Sequence, residues 1–256
     1  MSITVAPVGN SRILSVGTYR PKRVVPNSEI VDRIDSTDEW IVQRTGIESR
    51  RFAGDDETVI SMAKAACEIA LKRAKLTIAD IDTVILSTIS YPFQAPSAAT
   101  ELINELGNPK AAAFDISAAC AGFCYGVAMG SDLVRSGTSK NVLVIGVEKL
   151  SDYTDPDDRA TAFIFADGAG AVVIGQSDQP RIGQTIWGSD ADSRDAITLT
   201  PSFLDFKKNP DKGVTELGWP NISQQGQVVF RWAVYSMSKV GLQALEAAGV
   251  SVDELG

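Results

Sequence analysis

The 256-residue sequence contains no histidine. A Ser-His-Asp triad or a Cys-His dyad therefore cannot be completed within it. A histidine-ligated zinc site is excluded as well. Its three cysteines, Cys67, Cys120 and Cys124, are too few for a four-cysteine site. So sparse and odd a set argues against a disulfide scaffold and for a reducing, cytoplasmic setting. No run approaches the roughly 20 apolar residues that a membrane span requires. Residues 1–12 lack a basic stretch followed by an apolar one, so they do not read as a secretory signal. Positive charge is in deficit too, with 24 Lys and Arg against 32 Asp and Glu, a net charge of −8. A nucleic-acid binder would show the reverse.

What is present suits a globular α/β chain. The composition is 44% hydrophobic and 22% charged, and the length suffices for one large domain or two smaller ones. Short apolar runs alternate with helical stretches. The pattern predicts a first strand over 13–16 closed by Gly17, and a helix beginning over 28–34. It predicts an amphipathic helix over 58–74, where Ile60, Ala63, Cys67, Ala70, Leu71 and Ala74 recur at helical spacing. A buried strand over 83–88 follows, then a helix over 97–106 stopped by Gly107 and Pro109. Residues 111–116 read as a strand and 121–136 as a helix ended by Gly137. Residues 141–147 read as a strand, with 163–165 and 171–175 as a further strand pair. Past Pro180 the pattern predicts a strand over 182–187, a loop over 201–220 and a helix over 227–247.

An internal repeat accompanies this order. The 58–74 helix exits through Leu76-Thr77-Ile78-Ala79-Asp80-Ile81, and the last helix through Val250-Ser251-Val252-Asp253-Glu254-Leu255. Self-similarity of this kind marks duplicated architecture, although helix-to-strand turns often look alike. The halves would be 1–176 and 177–256, the second ending at Gly256, where its central strand is due.

The strongest local chemistry is Phe114-Asp115-Ile116-Ser117-Ala118-Ala119-Cys120-Ala121-Gly122-Phe123. A strand runs into small residues, then a cysteine, then a helix. Unpaired N–H groups and the dipole at a helix N-terminus favour a thiolate. The same groups can hold the oxyanion of a thioester under attack. A buried structural cysteine is the other reading, and the residues alone leave both open. Cys124, one turn on, reads as a packed apolar residue, and Cys67 as an inert core thiol. Asp167-Gly168-Ala169-Gly170 precedes an apolar strand rather than a helix, so it reads as a tight strand connection and not a phosphate loop.

The decapeptide around Cys120 resembles the nucleophile motif of the β-ketoacyl-acyl carrier protein synthase III family. Three further stretches carry the same resemblance in order: Asp35-Ser36-Thr37-Asp38-Glu39-Trp40-Ile41-Val42-Gln43-Arg44-Thr45-Gly46-Ile47, then Asp155-Pro156-Asp157-Asp158-Arg159, then Phe165-Ala166-Asp167-Gly168-Ala169-Gly170-Ala171. The resemblance implies a thiolase-like α/β fold of duplicated βαβαβαββ halves in α-β-α-β-α layers, with the second half incomplete. It implies an acyltransferase of fatty acid biosynthesis that condenses an acyl-CoA primer with malonyl-acyl carrier protein. It implies Cys120 as acyl acceptor, and Trp40 and Arg159 as the two faces gripping the coenzyme A adenine, a stacking that guanidinium allows. Arg44 is implied at nucleotide phosphate and Ser36 at the base. Taken alone, Trp40 reads as a half-buried core aromatic, and the two arginines as surface ion pairs. Leu150 and Phe165 are implied in an acyl tunnel, with Ala95 supplied across a homodimer interface. Alanine at that position leaves room for primers longer than acetyl. No cofactor or metal is implied, since acyl-CoA and acyl carrier protein are substrates, and neither nucleic acid nor membrane is a partner.

The family's His-Gln-Ala-Asn and Gly-Asn-Thr-Ser motifs, which stabilise the decarboxylation enolate, do not occur in this sequence. The expectation is a chain truncated before them, capable at most of self-acylation at Cys120. Two other readings stand beside it. One is a non-catalytic protein that binds acyl chains or a partner subunit. The other is a sister enzyme of the polyketide-priming or hydroxymethylglutaryl type.

Overall fold

A computed structural model describes residues 8–255; Gly256 lies outside the described residues. In chain order the first elements are β1 (Asn10–Tyr19), β2 (Arg23–Pro26), α1 (Asp38–Thr45), β3 (Ser49–Phe52), α2 (Val59–Ala74), β4 (Thr83–Ser87) and α3 (Ala98–Leu106). Then come β5 (Ala112–Ile116), α4 (Gly122–Arg135), β6 (Asn141–Lys149) and β7 (Asp167–Ser177). The last are β8 (Ile197–Thr200), α5 (Phe203–Lys208), α6 (Gly213–Leu217), β9 (Asn221–Gln224), α7 (Gly226–Trp232) and α8 (Ser238–Ala248). The chain forms two compact units. One comprises residues up to Val24, Arg51–Lys149 and Ala166–Ile182, and the other Val25–Arg50, Leu150–Phe165 and the residues from Gly183 onward.

The first unit is built on a five-stranded sheet of order β1-β7-β6-β4-β5. β4 runs parallel to β5 and β6, while β7 is antiparallel to β6 and β1. Period-2 alternation sorts its side chains between two helical layers. Val84, Leu86, Leu143, Ile145, Ala171 and Val173 share a buried cluster with α2 and α3 residues. Ile85, Val142, Val144, Val172 and Ile174 join Val134 of α4 in a second cluster. Glycines set the helix–sheet distance. A Cβ at Gly17 would sit 2.1 Å from the Ala66 carbonyl oxygen, so β1 needs glycine where α2 crosses it. Gly122, Gly126 and Gly130 recur every four residues on α4, and added Cβ atoms there would meet Ser87 Oγ at 1.9 Å, Val144 Cγ1 at 2.7 Å and Ile174 Cδ1 at 3.0 Å.

In the second unit, Val25, Ile30, Ile34, Ile41, Ala162 and Phe163 are buried. β8 and β9 form an antiparallel hairpin. α7 and α8 are joined by a π-helical stretch, Ala233–Met237, and none of these segments contains a buried residue.

Most expected elements of the first unit are present, and several expectations need correcting. β1 does not stop at Gly17 but runs through it to Tyr19. Residues 163–165 and 171–175 are not a strand pair, because the former lie in turns and the latter belong to the single strand β7. The Asp167–Gly170 stretch is thus the start of β7, not a connection before it. The 28–34 helix is only a 3₁₀ turn, Asn27–Glu29, while the true helix of that region is α1. No strand forms over 182–187, and the 201–220 loop holds α5 and α6. The repeat exits are alike in hydrogen bonding. Lys75 and Gly249 both take left-handed conformations, and Leu76 and Val250 donate to the carbonyls of Leu71 and Leu245. Thr77–Asp80 and Ser251–Glu254 then close matching capping boxes.

Candidate active site

The first group of candidate residues is in the sheet unit. β4 and β5 end level with each other, Ser87 opposite Ile116, while β6 runs on beyond Gly146 to Lys149 beside β7. In open α/β sheets this carboxyl end of parallel strands is where ligands bind. From Ile116 the chain enters a 3₁₀ turn, Ala119–Ala121, and then α4. Cys120 is the middle residue of that turn and is exposed, unlike a packed core thiol. Ala119 before it has φ of 44°, a left-handed conformation that costs a non-glycine residue on the order of 1–3 kcal/mol. Gly122 after it lets α4 start against Ser87. The turn is thereby set by packing on both sides. Cys124 is exposed, not packed as expected from its spacing. Cys67 is fully buried, and burial pushes its thiol pKa up, as expected of an inert core cysteine.

A half-buried carboxylate at the same end of the sheet was not anticipated. Glu148 accepts hydrogen bonds from the Ile89 N–H (3.0 Å) and from the hydroxyls of Ser90 and Thr88. Burial raises its pKa above the usual carboxylate range, against the opposing effect of these donors. An acidic residue ending the apolar run Asn141-Val142-Leu143-Val144-Ile145-Gly146-Val147 was the signal available in the sequence.

The second group is in the other unit. The Asp35–Ile47 signature folds as a capped helix. Thr37 accepts from the Trp40 N–H (3.1 Å), Asp38 and Glu39 fill the first turn, and Gly46 closes α1 at φ of 70°. The structure brings Trp40, Arg44 and Arg159 together. The guanidinium carbons of Arg44 and Arg159 lie 4.3 and 5.3 Å from the Trp40 ring centroid. Phe163 meets the same ring edge-on at 5.3 Å. Arg159 donates to the Asp35 carbonyl at 2.6 Å. It also pairs with the Asp35 carboxylate at 3.9 Å, whereas Asp157 pairs with Arg33 at 2.8 Å and Asp158 accepts from Ala160 N–H and the Thr161 hydroxyl. Ser36 Oγ is buried without a partner. A base stacked on both faces needs about 3.5 Å each side. At 5.3 Å, Arg159 already occupies that space and must swing outward to admit one.

The expected tunnel residues are divided. Ala95 is in the exposed loop before α3, in the sheet unit. Leu150 and Phe165 are half-buried and belong to the other unit. Among the described residues no group of histidine, cysteine or acidic side chains is arranged to hold a metal. None of the described helices is long and apolar enough to cross a membrane.

Known proteins are similar to this chain in sequence and fold. Residues 114–191 match the family described as 3-Oxoacyl-[acyl-carrier-protein (ACP)] synthase III. A Beta-ketoacyl-[acyl-carrier-protein] synthase III of Streptomyces glaucescens is 52% identical over 245 residues, 96% of this chain and 72% of the relative. A second, from Streptomyces coelicolor, is 52% identical over 250 residues, 96% of this chain and 73% of its own length. Among solved structures, the priming β-ketosynthase of the R1128 polyketide biosynthetic pathway superposes with a TM-score of 0.94 at 41% identity, covering all of this chain and 75% of that one. A 3-oxoacyl-[acyl-carrier-protein] synthase III from Aquifex aeolicus gives 0.78 at 35% identity, covering 96% and 74%. The fold is thus that of the thiolase-like condensing enzymes. Within them, the chain belongs to the β-ketoacyl-acyl carrier protein synthase III family, acyltransferases of fatty acid biosynthesis.

Proposed function

We propose that Cys120 is the nucleophile that takes the acyl group from acyl-CoA. The observation that carries this is an exposed thiol in a 3₁₀ turn at the head of α4, held between left-handed Ala119 and glycine-packed Gly122. Cys120 Sγ attacks the thioester carbonyl, the carbonyl–sulfur bond to coenzyme A breaks, and the departing thiolate takes up a proton. In the full reaction, malonyl-acyl carrier protein then loses carbon dioxide. The resulting carbanion attacks the acyl-enzyme carbonyl and releases the Cys120 thiolate. The His and Asn motifs that serve decarboxylation in the family are absent from these 256 residues. Self-acylation at Cys120 requires neither motif.

Trp40 and Arg159 are the adenine seat, Arg44 the phosphate contact and Ser36 the polar contact to the base. The stacked cations on Trp40 and the unpartnered Ser36 hydroxyl support this reading. Leu150, Phe165 and a partner-supplied Ala95 form the acyl tunnel of a homodimer, and the halves 1–176 and 177–256 are its structural repeat. The free thiols fit a reducing cytoplasm.

The test is mass spectrometry of the chain after incubation with acetyl-CoA or lauroyl-CoA. Adducts from both, confined to the peptide bearing Cys120 and absent in Cys120→Ala, are expected. No adduct, or one on Cys124, overturns the nucleophile assignment. Labelling by acetyl alone overturns the open tunnel. A second reading of the same chemistry is priming of a polyketide, favoured by the TM-score of 0.94 to a priming ketosynthase. Comparing the affinities of fatty acid and polyketide carrier proteins for the Cys120-acylated chain distinguishes the two.

A further inference from the structure

Arg50 is 5% exposed, and none of the ion pairs described here includes it. Burial lowers its pKa, and its Nε has no hydrogen-bond partner. A cation in such a place is costly, and an apolar side chain of similar volume would fill the space more cheaply. An apolar side chain cannot join three acceptors, however. Nη1 donates to the Val25 carbonyl (3.1 Å), and Nη2 to Asn27 Oδ1 (2.6 Å) and the Phe163 carbonyl (3.2 Å).

The two Nη2 bonds reach different parts of the Trp40 cluster. Asn27 is 1% exposed and donates from Nδ2 to Asp38 Oδ1 (2.6 Å) and to the Ile47 carbonyl (2.8 Å). Asp38 is the first residue of α1, and Ile47 follows Gly46, its cap. One buried amide therefore grips both ends of the helix that carries Trp40 and Arg44. Phe163 is the aromatic packed edge-on against Trp40, on the segment that also carries Arg159. A single guanidinium thus joins the helix presenting the ring to the segment presenting its second cation. A rigid fork does this where an ammonium cannot.

We infer that Arg50 is a positioning residue: through Asn27 and Phe163 it aligns the Trp40 ring with Arg159 for the nucleotide end of coenzyme A. This rests on the proposed adenine seat. Arg50 touches no substrate. Its loss should weaken only ligands that carry the nucleotide.

Calorimetric titration of the full chain with coenzyme A and with 4′-phosphopantetheine, which lacks the adenosine portion, tests this. Arg50→Met and Asn27→Ala are each expected to lose about tenfold in coenzyme A affinity, within the range of a cation–π contact. Their 4′-phosphopantetheine affinity should be unchanged, and Arg50→Lys should recover only part of the loss. Equal weakening of both ligands in variants that unfold at the wild-type urea midpoint shows a purely structural role and overturns the inference. So does unchanged coenzyme A affinity in either variant. Asn27→Ala keeps the guanidinium, and carries the test if Arg50→Met does not fold. Trp40→Ala separates the two levels. If it binds coenzyme A as wild type does, the adenine seat itself is wrong and the inference falls with it. If Trp40→Ala is weakened while Arg50→Met is not, only the role of Arg50 fails.

Discussion

α2 and α8 end alike and are buried differently. Each stops at a left-handed residue, Lys75 or Gly249, and each is followed by a capping-box turn. Yet α2 buries eight of its 16 residues, among them Met62, Ala63, Ala66 and Cys67, while α8 buries none. Leu242 on α8 is 57% exposed, and Phe230 and Tyr235 just before it exceed 70%. Local hydrogen bonding ends a helix in the same way whether or not its apolar face has a partner. Burial, not the caps, supplies the larger part of a helix's stability.

The contrast is sharpest at single side chains. Met62→Ala should cost about 2–5 kcal/mol, because it opens a cavity under the sheet. Leu242→Ala should stay within about 0.5 kcal/mol. Urea unfolding of both variants checks this, and equal losses would show that α8 is packed in solution. Next in size is Gly17→Ala. Its Cβ would press on the α2 backbone at Ala66 and Ala70, a cost of about 1–3 kcal/mol by the same measurement. A neutral result would mean that α2 does not sit on β1 so closely.

A smaller effect is pH-dependent. Burial raises the Glu148 pKa, so the folded protein holds a proton there that the unfolded chain releases at its ordinary value of 4.5. The stability this provides is complete below that value and is lost as pH rises through the folded pKa. Glu148→Gln cannot ionise, so its Tm should decline less than that of the wild type between pH 4.5 and neutrality. Parallel declines would refute the assignment. Thiol labelling probes burial with no change in stability. Iodoacetamide should alkylate Cys120 and Cys124 in the native chain and Cys67 only after unfolding, with peptide mapping as the readout. Early modification of Cys67 would show that α2 opens readily.

The sheet unit was largely legible. α2, α3, α4, β4, β5 and β6 appear within a few residues of expectation, because strong periodicity coincides there with burial and with glycine stops at Gly107 and Gly137. The rest was less so. The expected strand over 171–175 misses the start of β7 because Gly168 and Gly170 resemble turn punctuation, while their strand character comes from pairing with β6 and β1. α1 was missed although Thr37, Asp38 and Gly46 mark it, since its eight residues bury only Ile41 and show little apolar stripe. Cys120, Trp40, Arg44 and Arg159 are proposed from motifs. Arg50 and Glu148 are not, because a charge reads as surface until neighbours remote in sequence bury it.

By itself the sequence determined the local grammar of this protein: its helix ends, its strand alternation, the small residues around Cys120 and the family to which its motifs belong. These depend on residues within a turn or two of one another, so a linear reading reaches them. Only the tertiary structure decided which of two similar helices is buried, that Trp40 gathers cations from segments more than a hundred residues apart, and that Arg50 joins those segments from below the surface. Such facts depend on through-space neighbours, and desolvation and charge pairing are properties of that neighbourhood rather than of the chain.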